Sequence, residues 1–302
     1  MSQSPAISVL MPIYNARPFL AAAMDSVLAQ TFGDLELVAV DDGSTDGSLE
    51  MLRKYEAADP RVRVISRPNT GIVGALSDGL AACRADFIAR MDGDDTCSPD
   101  RFAKQAAYLN EHTECVAVGC QVLLTDETGS PICIKKDTLF SHEEIDAAHL
   151  SNGWPLTHGA LMMRREAVLR VGGYREQYKW LEDLDLFLRL AEIGKLANLP
   201  EVLYRYRQHP GSICWTRQGE QLIIRQALYV DTRKRRGLPE QSMSLPPAQA
   251  TYASSEVRRI WAWWALAEGN ISTARRLALK VFTSRPASLN SWRLMACAIR
   301  GH

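Results

Sequence analysis

The chain has 302 residues, 46% of them hydrophobic and 23% charged, enough to bury a full core, which excludes a disordered tail. Its 35 Lys and Arg balance 35 Asp and Glu, so there is no global basic field of the kind that holds nucleic acid or acidic lipid. Seven scattered cysteines (Cys83, Cys97, Cys115, Cys120, Cys133, Cys214, Cys297) form no C-x-x-C pair, and the N-terminal stretch has no basic region followed by a long apolar run. A reduced, cytoplasmic, soluble or at most peripheral protein is expected, because Ile260–Ala267 is far too short to span a bilayer.

The first half alternates strand-like and helix-like segments. Ile7–Ile13 is an apolar run ending at Tyr14-Asn15, and Pro18–Ala29 has helical spacing through Phe19, Ala23, Val27 and Leu28. A second strand, Leu35–Val40, runs into Asp41-Asp42-Gly43-Ser44 and a helix over Leu49–Ala57. Arg61–Ile65, a helix from about Gly74 to Cys83 and the strand Phe87–Met91 complete a pattern that predicts a parallel α/β sheet. Ligands of such sheets bind beyond the carboxyl ends of the strands, and Tyr14, Asp41, Asp42 and Asp92 all fall there.

Ser98-Pro99 predicts the next helix start, a cap followed by proline, with the helix running to about Leu109. Cys115–Leu124 reads as a strand, Thr125–Ser130 as a turn, and 131–155 as a less regular stretch. A strand and a short helix follow from His158, then a helix over Leu181–Ile193 whose first turn carries Glu182, Asp183 and Asp185. Acids there suit the helix dipole, which is their ordinary explanation. Beyond about Thr216 the composition shifts to long helical segments rich in Arg, Ala, Leu and Trp, with a helix–helix joint at Gly269-Asn270.

Four blocks carry a resemblance: 7–48, 67–101, 158–174 and 180–194, in that order. Together they resemble family 2 glycosyltransferases, over about residues 7 to 215. The resemblance implies a GT-A fold, a Rossmann-like α/β architecture with a mixed, mostly parallel sheet flanked by helices. On it rests the expected division: 1–215 as the glycosyltransferase domain, with a nucleotide-binding half (1–110) and an acceptor half (111–215), and 216–302 as an all-helical C-terminal extension. The implied activity is transfer of a sugar, with inversion, from a nucleotide-diphosphate donor to an acceptor hydroxyl in bacterial surface polysaccharide or glycoconjugate synthesis.

The acidic stretch agrees with that chemistry. Asp92, Asp94 and Asp95 crowd the end of an apolar strand, and such carboxylates repel one another unless protons or a cation intervene. If the strand continued, Asp92 and Asp94 would share a face, with Gly93 leaving the backbone open to a diphosphate. Oxygen ligands suit Mn2+ or Mg2+. The resemblance assigns the metal contact to Asp94 and a ribose or metal-water contact to Asp92. It assigns the base contact to Asp42, whose carboxylate favours an imide N–H and hence a UDP- or dTDP-sugar, while Asp41, Ser44 and Asp46 hold the turn. Pro12 and Tyr14 are expected to line the base pocket, with Arg67 and Asn69 near the nucleotide. Asp183 matches the family's general base and Glu182 a neighbour that orients it; Asp185 turns away around the helix. His209, and less so His158, are candidates for phosphate or metal contact.

Three other readings compete. An EF-hand loop beginning at Asp42 fails because its twelfth position is Arg53. A haloacid-dehalogenase-type phosphatase shares the D-x-D-x-T pattern at Asp92–Thr96, but its nucleophile strand belongs early in the chain. A non-catalytic sugar-nucleotide-binding scaffold is the third. The helical extension carries Arg clusters at 231–237, 257–259 and 274–280, which raises docking on a membrane surface or a partner enzyme as an expectation.

Overall fold

Alternation of side chains along the first strands builds the centre of the molecule. In β1 (Ile7–Ile13), Ile7, Val9, Met11 and Ile13 face one core layer, and Leu10 faces the other. β2 (Leu35–Asp41) repeats this, with Leu35, Leu37 and Ala39 on the first side and Val38 and Val40 on the second. Both strands are buried at every position, as strands covered on two faces must be. The structure, a computed structural model, describes residues 4–151, 153–212, 215, 218–239 and 253–301. Cys214 and the expected boundary at Thr216 lie outside them.

β3 (Val62–Ser66), β2, β1 and β4 (Phe87–Arg90) are mutually parallel. The sheet continues antiparallel through β8 (Met162–Arg164) to β6 (Cys115–Thr125), then parallel to β9 (Lys195–Arg207), giving the order β3-β2-β1-β4-β8-β6-β9-β5, with β5 being Thr96–Cys97. β7 (Pro131–Ile134) pairs with β6 beside this path. Two helices cover the opposite faces: α1 (Arg17–Leu28) through Leu20, Ala23, Met24 and Val27, and α3 (Ile72–Ala82) through Val73, Leu76 and Leu80. The mixed, mostly parallel sheet expected of the chain is present.

The remaining helices are α2 (Ser48–Ala58), α4 (Arg101–Glu111), α5 (His142–Leu150), α6 (Arg165–Arg170), α7 (Glu182–Leu190), α8 (Gln218–Arg235), α9 (Ser254–Ala267), α10 (Ile271–Ser284) and α11 (Leu289–Arg300). α8 packs on α7, where Leu228 joins Leu181, Leu184, Leu188 and Tyr178. α9–α11 form a separate core around Trp261, Leu277 and Leu294 that seats on Ile132 and Cys133 of β7.

Three local expectations change. β4 stops at Arg90, so Asp92-Gly93-Asp94 is a turn, and the premise that Asp92 and Asp94 alternate along a strand does not hold. α4 begins at Arg101 with Asp100 at its N-cap position, while the Ser98 N–H and hydroxyl are given to the Leu203 and Val202 carbonyls of β9. The stretch 131–155 contains β7 and α5, the latter opened by a capping box in which Ser141 and Glu144 exchange hydrogen bonds.

The cysteines described, Cys83, Cys97, Cys115, Cys120, Cys133 and Cys297, are free. Burial pushes the thiols of Cys115, Cys120 and Cys133 up to about 11, so they pack as small apolar groups. No helix among the described residues is long and apolar enough to cross a membrane. Much of the expected basic docking surface is neutralised within the chain. Arg235 pairs with Glu192 and Asp231, Arg236 with Asp146, Arg258 and Lys280 with Glu127, and Arg276 with Asp126.

Candidate active site

The site is assembled from strand ends. The turn after β1 and the turn after β2 are knitted together: the Asn15 N–H goes to Ser44 Oγ (3.0 Å), the Thr45 N–H to Asn15 Oδ1 (2.8 Å), and the Arg17 N–H to Asp46 Oδ2 (3.0 Å). Gly43 is required here. Its φ is +75°, and a Cβ would stand 2.8 Å from the Asn69 nitrogen. Tyr14 projects from this junction, 56% exposed, whereas Pro12 is buried within β1 beside Val40. Pro12 is therefore wall rather than open lining.

Asp42 is 3% exposed. Its carboxylate accepts from the backbone N–H of Thr70 (3.1 Å) and Gly71 (2.8 Å), and Arg67 Nε stands 3.4 Å away. Asp42 thus ties the 67–71 loop to the end of β2. Arg67 is also ion-paired with Asp78 of α3 at 2.9 Å and bonded to Thr70, so its guanidinium ties the loop to that helix; Asn69 stays exposed. Asp41 accepts from the Ser44 N–H (3.4 Å), and its Oδ1 has no hydrogen-bond partner among the described residues.

At the end of β4 the three acids have separate fates. Asp95, 1% exposed, accepts from the Tyr204 hydroxyl (2.7 Å) and the Arg207 N–H (2.6 Å), both on β9. It is a brace, its carboxyl pushed well above the usual carboxylate range by burial and by the charges of Asp94 and Asp92. Asp92 accepts from Arg90 Nη2 at 2.6 Å, and its other oxygen backs onto Gly159. One oxygen of the carboxylate expected to contact the ribose or a metal-bound water is thus already engaged by Arg90. Asp94 turns the other way. Its Oδ2 lies 3.2 Å from His209 Nε2, and both side chains are partly open. A carboxylate and an imidazole fit a divalent cation whose remaining positions are filled by phosphate oxygens and water, as Mg2+ and Mn2+ sites commonly are.

His209 follows β9 directly, and Phe19 of α1 lies 5.8 Å from its ring, centroid to centroid. His158, by contrast, is enclosed. Its Nε2 meets the Tyr174 hydroxyl at 2.9 Å, and burial with the nearby Arg90 charge holds it neutral. It is a structural histidine.

Glu182 and Asp183 open α7, preceded by Trp180 in the left-handed region (φ +74°). Burial and the Asp183 charge raise Glu182 to about 8, while burial raises Asp183 to about 6 against the Leu184 N–H it accepts at 2.7 Å. The buried Arg90 guanidinium, bonded to Asp92, also exerts a smaller lowering influence on both acids. Asp185 is fully buried between Arg175 (3.0 Å) and Arg189 (3.1 Å), as its position around the helix suggests. Sequence reasoning missed Arg90, Tyr204 and Arg207, which hold the acids in place. It also missed Arg225 of α8, stacked 4.6 Å from the Trp154 ring and acting on Asp183. The only sign of Arg90 was an arginine inside an apolar strand. A hollow of about 260 Å³ lined by Arg259, Trp263, Asn290 and Arg293 lies in the C-terminal helices and shares no residue with this cluster.

Comparison with known proteins places this arrangement. The family model "Glycosyl transferase family 2" matches residues 8–172. EpsE of Bacillus subtilis, described as a glycosyltransferase, is 35% identical over 213 residues, 69% of this chain and 75% of EpsE. The amylovoran biosynthesis glycosyltransferase AmsE of Erwinia amylovora is 34% identical over 204 residues, 66% of this chain and 75% of AmsE. Among solved structures, S. aureus TarS 1–349 with UDP-GlcNAc has a TM-score of 0.60 at 16% identity, covering 98% of this chain and 81% of that one. The mannosyltransferase PcManGT of Pyrobaculum calidifontis with GDP-Man and Mn2+ has a TM-score of 0.56 at 20% identity, covering 99% and 81%. With the strand order, the paired acids and these matches together, the chain belongs to glycosyl transferase family 2 and carries the GT-A fold.

Proposed function

We propose that this glycosyltransferase is a metal-dependent, inverting enzyme that moves a sugar from a UDP- or dTDP-sugar to an acceptor hydroxyl in bacterial surface polysaccharide or glycoconjugate synthesis. The observation that carries the reading is the pairing of Asp94 with His209 beyond β4, together with the raised acids Glu182 and Asp183 at the start of α7. The name of AmsE supports the polysaccharide setting, the UDP-GlcNAc complex of TarS a UDP-sugar donor, and the Mn2+ in the PcManGT complex the metal.

Asp183 takes the proton of the acceptor hydroxyl as that oxygen attacks the anomeric carbon. A new C–O bond forms, and the bond from the anomeric carbon to the diphosphate oxygen breaks on the opposite face, its electron pair leaving with the nucleoside diphosphate. Glu182, protonated at neutral pH, adds no second negative charge beside the base and steers it. Asp94 and His209 would hold Mn2+ or Mg2+, which when bound neutralises charge on the departing diphosphate. Tyr14 stacks against the base, Pro12 backs that wall, and Asp42, which also ties down the 67–71 loop, contacts the base, with Arg67 and Asn69 near the nucleotide. Asp92 orients Arg90 and takes the ribose or metal-water contact.

We assign 1–110 to the nucleotide and 111–215 to the acceptor, with α8 serving the acceptor side through Arg225, and α9–α11 as the extension proper. The reaction belongs in the cytoplasm in this reading, which the free cysteines support. Docking of the extension on a membrane or partner enzyme gains little support, since so many of its cations pair internally.

The test uses UDP- and dTDP-sugars with Mn2+. Asp94→Asn loses metal-dependent transfer, and Asp183→Asn keeps donor binding by thermal shift while turnover falls by about 10²–10⁴. A normal rate in Asp183→Asn removes that assignment. Donor binding without transfer or hydrolysis in the native chain leaves the scaffold reading, and phosphate release from a monoester the phosphatase one.

A further inference from the structure

The β6–β7 hairpin turns through Asp126, Glu127, Thr128 and Gly129, and its shape is fixed from within. Asp126 Oδ1 accepts from the Thr128 N–H (2.9 Å), the Thr128 hydroxyl (2.7 Å) and the Ser130 N–H (3.1 Å), and Gly129 takes the left-handed φ of +82°. From one side the C-terminal helices grip it. Arg258 Nη2 of α9 donates to Glu127 Oε1 at 2.6 Å, Lys280 Nζ of α10 to Glu127 Oε2 at 2.9 Å, and Arg276 of α10 to Asp126 Oδ2.

From the other side the same turn holds the acidic loop. The Glu127 carbonyl accepts from Arg207 Nη1 at 3.2 Å, and that guanidinium donates through Nε to the Asp94 carbonyl at 2.7 Å. The Arg207 N–H reaches Asp95 at 2.6 Å, and the Phe19 ring lies 4.9 Å from its guanidinium carbon. Charge-assisted bonds of this kind are the strong ones, and a planar guanidinium that bridges two carbonyls fixes their separation. Lysine offers no equivalent fork.

We infer that the C-terminal helices position Asp94 for metal and diphosphate through Glu127 and Arg207, so that the extension is part of the donor site's architecture. The inference rests on the donor-site reading above. Arg207 and Glu127 are positioning residues: neither side chain needs to touch the donor. Coupling runs over a short hydrogen-bonded path of named atoms, and effects of about two- to thirtyfold are the usual scale for such paths.

The experiment measures Mn2+ affinity in saturating UDP or dTDP, by electron paramagnetic resonance of free Mn2+, beside thermal unfolding without metal. The proteins are the native chain, Arg207→Lys, Glu127→Gln, and Arg258→Gln with Lys280→Gln, the last pair lying at the partly exposed surface of the extension. Expected are about three- to tenfold weaker Mn2+ binding for Glu127→Gln and for the Arg258/Lys280 pair, and more than about tenfold for Arg207→Lys. Combining Glu127→Gln with Arg207→Lys is expected to weaken binding by less than the product of the single effects. Lower melting temperatures with Mn2+ affinity within about twofold of native in the Arg258/Lys280 pair overturn the inference, because support of the fold alone predicts that result. A native chain that binds no Mn2+ with either nucleotide overturns the donor-site reading itself.

Discussion

Asp183 and Glu182 are adjacent acids with different environments, and the difference sets their roles. Burial raises both, Asp183 to about 6 and Glu182, which also feels the Asp183 charge, to about 8, so the first proton to leave the pair leaves Asp183 and the second is retained through neutral pH. Transfer at saturating donor is therefore expected to rise with pH through about 6, as the base ionises, and a pH–rate profile checks this. Glu182→Gln imitates the protonated neighbour and is expected to keep the rate at pH 7 within about threefold while losing any change near pH 8. The stability sign follows from the same shifts. A carboxyl whose folded pKa is raised favours the fold while protonated, and that contribution is lost as pH rises through the folded value. At pH 9, Glu182→Gln is expected to be more stable than the native chain by about 1–2 kcal/mol in urea denaturation, with the advantage gone at pH 5. The raised pair could not be read from sequence, since Glu-Asp at a helix start is equally a dipole device.

α7 is the element that delivers this pair, and its other acid shows how it is seated. Asp185 is fully buried and shared by Arg175 and Arg189, the latter one turn along the same helix, while Arg175 also reaches Asp231 of α8 at 3.0 Å. Removing the charge takes the buried counter-ion from two guanidinium groups, leaving Arg175 to Asp231 and Arg189 to the carbonyls of Val171 and Gly173. Asp185→Asn is expected to destabilise the fold by about 3 kcal/mol, read by urea denaturation, and Asp185→Ala no less. The periodicity of 181–193 told which way Asp185 turns, because 3.6 residues per turn fix a face. It did not tell what waits on that face, because Arg175 and Asp231 arrive from other elements. The Asp92-Gly93-Asp94 segment failed in the opposite sense. An apolar run followed by alternating acids reads as a continuing strand, but β4 meets β8 only as far as Ala89, and the chain turns.

At the scale of the whole molecule, α9–α11 carry their own core and sit on β7. Trp261 is fully buried there among Val257, Ala265, Leu277 and Leu294, with Trp215 at 6.1 Å between ring centroids. Trp261→Ala is expected to cost about 3–5 kcal/mol, measured by denaturation followed by circular dichroism. Charge arithmetic alone makes the Arg-rich extension look like a docking surface. The partners of Arg258, Arg276 and Lys280 are Glu127 and Asp126, about half the chain away in sequence. Such ion pairs leave no periodic trace.

The sequence by itself determined the alternating strands and helices of the first half, the acids at the strand ends and the family they resemble. Those features are local: hydrophobic period, turn residues and motif spacing are set by neighbours in the chain. Only the tertiary structure decided which acid faces which partner. Asp95 became a brace, Asp92 a mate for Arg90, and Asp94 a partner for His209, because β9 and α7 bring Tyr204, Arg207 and Glu182 to the end of β4. A carboxylate's role is fixed by the charges and donors within a few ångströms of it, and those come from strands and helices distant in sequence.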